Sequence, residues 1–282
     1  MDYNKILRIN GHHINVIYTK MYETVAKMVV KYYDNDHFHN TLFVINVLTD
    51  ENSNDIDFRG NCPGASTYIY YQLNNLYLYA EYVAHEHMDQ FDEIWDFSNE
   101  NIQYYPYDIK EKVCFMPLRF IDVPKIELKD EYKFDIGFIG TLTPFRQDMI
   151  SKITKYWTDE TCRFKYIGGV PYQELYDEVA DCKYLMDIPR TSMANTILSG
   201  SRIFEAICSG KQVICELQGY TENLFPNLLK GYNRVYDVID LIKDEPLPNV
   251  RESFQAWTES NKIYEEYRKH CMKQNYQQKL FY

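Results

Sequence analysis

Short apolar runs of strand length, separated by stretches with helical spacing, constrain this chain more than any other feature. Leu42 to Leu48 reads as one such run, and Ile6 to Asn10 is another, ending at Gly11. Ser66 to Leu73, Glu93 to Phe97 and Val113 to Leu118 follow as further strand candidates. Between them, Tyr18 to Tyr33 carries Met21, Val25, Met28, Val29 and Tyr32 at helical spacing, and Leu76 to Met88 also reads as helix. Strands that are apolar along their whole length are covered on both faces. Strands alternating with helices therefore imply an α/β fold built on parallel sheets.

The segment from Phe120 to Lys133 interrupts the pattern with Pro124 and a run of charges. It reads as a linker. The rhythm then restarts. Strands are expected at Phe134–Ile139, Phe164–Ile167, Tyr184–Ile188 and Gln212–Cys215, with helices at Gln147–Trp157, Gln173–Ala180 and Arg202–Cys208. Gly210 stands just past the last of these, as a left-handed helix stop. Arg234–Lys243 reads as a short strand and helix, and Asn249–Lys273 as a long polar helix. The expected organisation is an N-terminal domain over 1–125, a second over 126–250, and a helical tail over 251–282 returning to the first. Two Rossmann-like, doubly wound halves would face a cleft.

Composition narrows the function. No apolar stretch approaches the ~18 residues of a spanning helix, and MDYNKILRIN lacks a signal-peptide core. The seven cysteines include no CxxC pair. Reduced thiols, a cytoplasmic location, no membrane and no structural zinc are expected. A net charge of −11 argues against a protein that coats nucleic acid. GxGxxG, GxxxxGK[ST] and GxSxG are all missing, so dinucleotide, P-loop and nucleophile-elbow chemistry have no support.

The most informative stretch is Ser199-Gly-Ser-Arg-Ile-Phe-Glu-Ala-Ile-Cys-Ser-Gly-Lys-Gln-Val-Ile-Cys-Glu216. Arg202 and Glu205 share one face near a helix start, where the dipole favours an anion. Arg202 suits a phosphate and Glu205 a vicinal diol. A surface ion pair on an amphipathic helix is the plain alternative. Phe134-Asp-Ile-Gly-Phe-Ile-Gly-Thr-Leu-Thr-Pro-Phe-Arg146 is the second stretch. Gly140 there permits close approach of a ligand to the backbone ahead of a helix start. These two stretches resemble the donor half of GT-B glycosyltransferases. More weakly, Tyr68–Leu76 and Glu93–Ile102 resemble the acceptor half of some bacterial and phage sugar transferases.

The resemblance implies a GT-B fold and transfer of a sugar from a UDP-sugar, with UDP-glucose the expected donor. Gly140, Thr141, Arg146, Asp187, Arg202 and Glu205 would hold the donor. No tightly bound cofactor, no divalent metal and no obligate protein partner are called for. Many retaining members carry a second Glu eight residues before the ribose-binding one; Ile197 stands there instead. Size and setting resemble phage enzymes that glucosylate hydroxymethylcytosine, which implies double-stranded modified DNA as acceptor. Lys262, Arg268, Lys269 and Lys273, interleaved with tyrosines, would contact it, unless the tail is only a solvated helix. A surface or capsid glycan is the alternative acceptor, and a non-catalytic binding module the alternative class.

Asp96, at a strand end beside Trp95, is a candidate general base, with a turn or cap role as its alternative. His12 and His13 follow the first strand and would line the cleft, or be plain loop histidines. Asp55-Ile-Asp57 is a formal DxD in a polar loop, read as solvated, and His85 and His87 do not share a helix face.

Overall fold

The computed structural model describes residues 5–47, 57–73, 85–155, 162–168, 175–189, 200–216, 225 and 227–260. The chain divides into two compact units, Met1–Arg119 with Trp257–Tyr282, and Phe120–Ala256.

The first unit holds strands β1 (Ile6–Asn10), β2 (Ile14–Thr19), β3 (Thr41–Ile45), β4 (Thr67–Gln72), β5 (Glu93–Asp96) and β6 (Val113–Phe115). They lie side by side in chain order. All are parallel except β1, which forms an antiparallel hairpin with β2 and leaves its own residues part or fully exposed. The helices are α1 (Glu23–Tyr33), α2 (Phe58–Asn61), α3 (His85–Met88) and α4 (Tyr107–Lys110).

Every residue of β3 is buried, as a strand covered on both faces must be. On one face Leu42, Val44, Tyr70 and Ile94 pack with Phe58, Met88, Phe91 and Ile109. On the other, Phe43 and Trp95 form an aromatic cluster with Tyr33 of α1 and with Phe38.

The second unit holds β7 (Phe134–Ile139), β8 (Phe164–Ile167), β9 (Cys182–Met186), β10 (Val213–Glu216) and β11 (Leu229–Tyr232). Its helices are α5 (Pro144–Lys155), α6 (Tyr176–Ala180), α7 (Gly200–Cys208), α8 (Val238–Leu241) and α9 (Val250–Ser260). The strands are parallel, in the order β11-β10-β9-β7-β8. The chain steps from β7 outward to β8, then returns to the other side of β7 with β9. That reversal is a topological switch point between β7 and β9, and ligands of such sheets bind beside it, outside the carboxyl ends of the strands. The first unit has no such reversal among its described strands.

One expectation is corrected. Tyr18 opens no helix: Ile14–Thr19 is strand β2, and α1 begins at Glu23. The run Ile14-Asn-Val-Ile-Tyr-Thr19 is β-branched and aromatic, which favours extended backbone. Among the described cysteines, Cys62, Cys162, Cys182, Cys208 and Cys215 are free.

Candidate functional site

The switch point of the second unit gathers the charged groups. β7 ends at Ile139, and Gly140 follows with φ +149°. A Cβ there would lie 3.1 Å from the Phe138 ring and 3.4 Å from both Arg146 Nη1 and Arg202 Nη2. Glycine is thus required by conformation and by crowding together. The loop passes through Thr141 and Leu142 to Thr143, whose hydroxyl accepts from Arg146 N–H at 3.3 Å at the start of α5. Pro144 occupies the first helical turn, where its missing N–H costs nothing.

Arg146 turns back from α5 and is buried. Its Nε donates to the Ile188 carbonyl at 2.9 Å and its Nη1 to the Thr141 carbonyl at 2.8 Å. It thereby ties the loop after β7 to the loop after β9. Asp187, the first residue past β9, is 2% exposed and accepts from Arg202 Nη1 at 2.7 Å. The guanidinium carbons of Arg146 and Arg202 lie 5.2 and 5.8 Å from the centroid of the Phe138 ring, which suits a cation–π contact. Two guanidiniums and the Asp187 carboxylate thus gather at the start of α7. A small recess there is bounded by Ile139, Asp187, Arg202 and Ala206.

Glu205 lies one turn along α7 and is 5% exposed. The open polar face expected for this helix is not there: residues 203 to 208 are all buried. The reason is packing on more than one side. Phe204 meets Phe254 of α9, and Ile126 N–H donates to the Ser209 carbonyl at the helix end. Arg251 donates to the Cys208 and Val123 carbonyls. Tyr176 of α6 lies near Glu205; burial raises its phenol pKa and the Glu205 charge raises it further.

The structure thus brings Gly140, Thr141, Arg146, Asp187 and Arg202 together, with Glu205 on the next turn of α7. The other described candidates belong to the first unit. Asp96 ends β5 and has no exposed surface. Its Oδ1 accepts from Ser98 N–H at 2.8 Å and Asn101 Nδ2 at 3.0 Å, and its Oδ2 from the Tyr105 hydroxyl at 2.8 Å. Burial pushes its carboxyl up to about 7 against the pull of those three donors. This is the turn role, with no face open to an acceptor hydroxyl.

His12 and His13 sit in the β1–β2 hairpin, which precedes β2. They therefore occupy the amino edge of the parallel strands, the end opposite to ligand sites. The strand they follow, β1, is the antiparallel edge and not the first parallel strand. Asp57 caps α2 by accepting from Gly60 N–H. Lys262, Arg268, Lys269, Lys273, Asp55, Ile197 and the side chain of His85 lie outside the described residues.

Sequence reading missed Phe138, the shared platform of the two arginines. Its position two residues before Gly140 in an apolar strand marked it only as core.

No family model and no curated protein sequence matches the chain. Solved structures with loose overall similarity include an Anabaena protein, HepE, in complex with UDP-glucose, at 11% identity and TM-score 0.49, covering 90% of this chain and 83% of that one. Another is an alpha-glucosyltransferase in complex with UDP-glucose and DNA containing an abasic site, at 14% identity and TM-score 0.46, covering 92% and 83%. A third is the lipopolysaccharide outer core galactosyltransferase WaaB in its apo form, at 10% identity and TM-score 0.46, covering 84% and 76%. Likenesses this distant fix nothing about the chemistry, which rests on the chain's own residues.

Proposed function

We propose that the chain is a glycosyltransferase of GT-B type that takes a sugar from a UDP-sugar, with UDP-glucose the expected donor. One observation carries the reading: Gly140, Arg146, Asp187 and Arg202 meet at the β7/β9 switch point. Gly140, Arg146 and Arg202 come from the two stretches that resemble the family's donor half, and Asp187 lies between those stretches. A glycine that lets the backbone approach a ligand, two helix starts and a partly exposed guanidinium form an anion site suited to a diphosphate.

In the proposed reaction an acceptor hydroxyl oxygen bonds to the anomeric carbon of the sugar. The bond from that carbon to the UDP oxygen breaks, and the hydroxyl proton leaves to a base. Negative charge grows on the departing diphosphate, and Arg202 with the N–H groups at the helix starts stabilises it. Arg146 holds the loop geometry through backbone carbonyls and adds its charge from behind. Asp187 orients Arg202. The resemblance assigns the ribose to Glu205, which is 5% exposed one turn along α7.

The acceptor is proposed to be hydroxymethylcytosine, or glucosyl-hydroxymethylcytosine, in duplex DNA. Support comes from the resemblance and from the lysines and arginine at 262, 268, 269 and 273, interleaved with tyrosines in the sequence. The test is a panel of nucleotide-sugars against plain, hydroxymethylated and glucosylated DNA, read as released UDP. Release that requires modified DNA supports the whole reading. Release with an oligosaccharide instead moves the acceptor to a glycan. Nucleotide binding without any turnover leaves a binding module.

A further inference from the structure

Helix α7 carries both Arg202 and Glu205, and its other end is fastened by groups outside the site. The last carbonyls of a helix have no partner within it. At the end of α7 the Cys208 carbonyl accepts from Arg251 Nη1 of α9. The same Nη1 donates to the Val123 carbonyl at 2.8 Å, and Nη2 pairs with the Asp122 carboxylate. A cation at a helix C-terminus also meets the negative end of its dipole. Gly210 lies against the same groups: a Cβ there would stand 3.7 Å from Arg251 Cβ and 3.6 Å from the Ile126 carbonyl. Ile126 N–H in turn donates to the Ser209 carbonyl at 2.8 Å.

Arg251 is held firmly in that position. Its side chain is 11% exposed, and its guanidinium carbon stands 5.1 Å from the centroid of the Phe120 ring. Phe120 meets Phe254 of α9 edge to face, and Phe254 meets Phe204 of α7 in the same way. One side chain thus joins α7, α9 and the stretch 120–126. The chain enters the second unit at Phe120 and leaves it after Ala256. Both crossings therefore run through the segments that Arg251 ties to α7. Its charge is also felt beside Glu205: burial and the Glu205 charge raise the Tyr176 phenol pKa, and Arg251 opposes them.

On the strength of the UDP-sugar site proposed for Arg202 and Glu205, we propose that Arg251 is a positioning residue for that site. It holds the two side chains in place from the far end of α7 and fastens them to the two chain crossings. Arg202 and Cys208 are both on α7, about 9 Å apart along its axis. A helix that short moves as one rod, so a shift at Cys208 is passed on to Arg202. Arg251 acts through α7 and touches no reacting atom.

The test is calorimetric titration of UDP into the full chain, wild type against Arg251→Met, Arg251→Lys and Asp122→Ala. Val238→Ala, in a core cluster that α7 does not join, is the control for lost stability. Asp122 is exposed, so D122A should fold as the wild type does. UDP bound about tenfold more weakly by R251M and about threefold more weakly by D122A supports the role. So does partial recovery in R251K, which can still donate to the Cys208 carbonyl, with wild-type affinity in V238A. Wild-type affinity in both R251K and D122A, or in R251M, overturns the proposal and leaves the UDP site standing. An equal loss in V238A also overturns it, because the effect is then one of stability alone. Failure of the wild type to bind UDP removes the site and the role together.

Discussion

Asp96 and Lys211 are both buried ionisable side chains, and their surroundings give them opposite pH signatures. Asp96 is satisfied by three donors and holds its proton up to about pH 7. The unfolded chain releases that proton near 4, so the folded state binds more protons between those values. Its contribution is present at low pH and fades as pH rises through 7. Asp96→Asn is expected to flatten this dependence in denaturation curves taken from pH 5 to 8 and to leave sugar transfer near wild-type rates. Asp96→Ala strands the Tyr105, Asn101 and Ser98 donors and should cost about 3 kcal/mol. Loss of transfer in the stable Asn variant would restore a catalytic role to this carboxyl.

Lys211 is 1% exposed, and its ammonium has no hydrogen-bond partner among the described residues. It stands over the Tyr132 ring at 4.8 Å. Burial lowers its pKa to about 8. The unfolded chain therefore binds the extra proton between about pH 8 and 10.5, and stability from this site rises with pH across that window. Lys211→Met should be more stable than wild type by about 2 kcal/mol at pH 7. The gap should narrow as pH climbs above 8 in urea melts of the two proteins. A constant gap would show that the lysine is not a buried unpaired charge.

At the scale of elements, Gly140 joins strand β7 to the loop at the switch point. Gly140→Ala places a methyl against Phe138 and both guanidiniums at φ +149°. The expected cost is about 1–3 kcal/mol of stability, with a weaker site for UDP. Thermal melts with and without UDP check this, and a variant stabilised by UDP as strongly as wild type would contradict it.

Phe134–Ile139 and Phe164–Ile167 were legible to the residue as strands, since their apolar runs end at glycines. Gly210, at φ +90°, stops α7 as its sequence position implied. β2 was hidden because Tyr18 and Met21 match a helical period with α1. β11 was hidden because Lys230 and Gly231 dilute a four-residue edge strand. The Arg202–Asp187 pair spans 15 residues and two elements, so no local spacing announces it. Burial of Glu205 depends on α9 and on the Phe120–Ile126 segment, both remote in sequence.

At the scale of the whole molecule, the chain pairs a net charge of −11 with a local cluster of arginines at one switch point. Binding to duplex DNA must then come from a local basic surface against overall repulsion. Its affinity is expected to fall steeply between low and physiological salt, whereas UDP binding, made by a few partly buried groups, should change far less. Gel-shift and calorimetric titrations across a salt series compare the two, and equal salt dependence would count against separate sites. The central claim concerns the β7/β9 edge itself. Its most direct measurement is calorimetric titration of UDP into the full chain and into Arg202→Ala. The account predicts saturable one-to-one binding to the wild type and at least about tenfold weaker binding to the variant, a loss of ~1.4 kcal/mol or more. Equal affinity in the two proteins, or no binding of UDP to either, would contradict it.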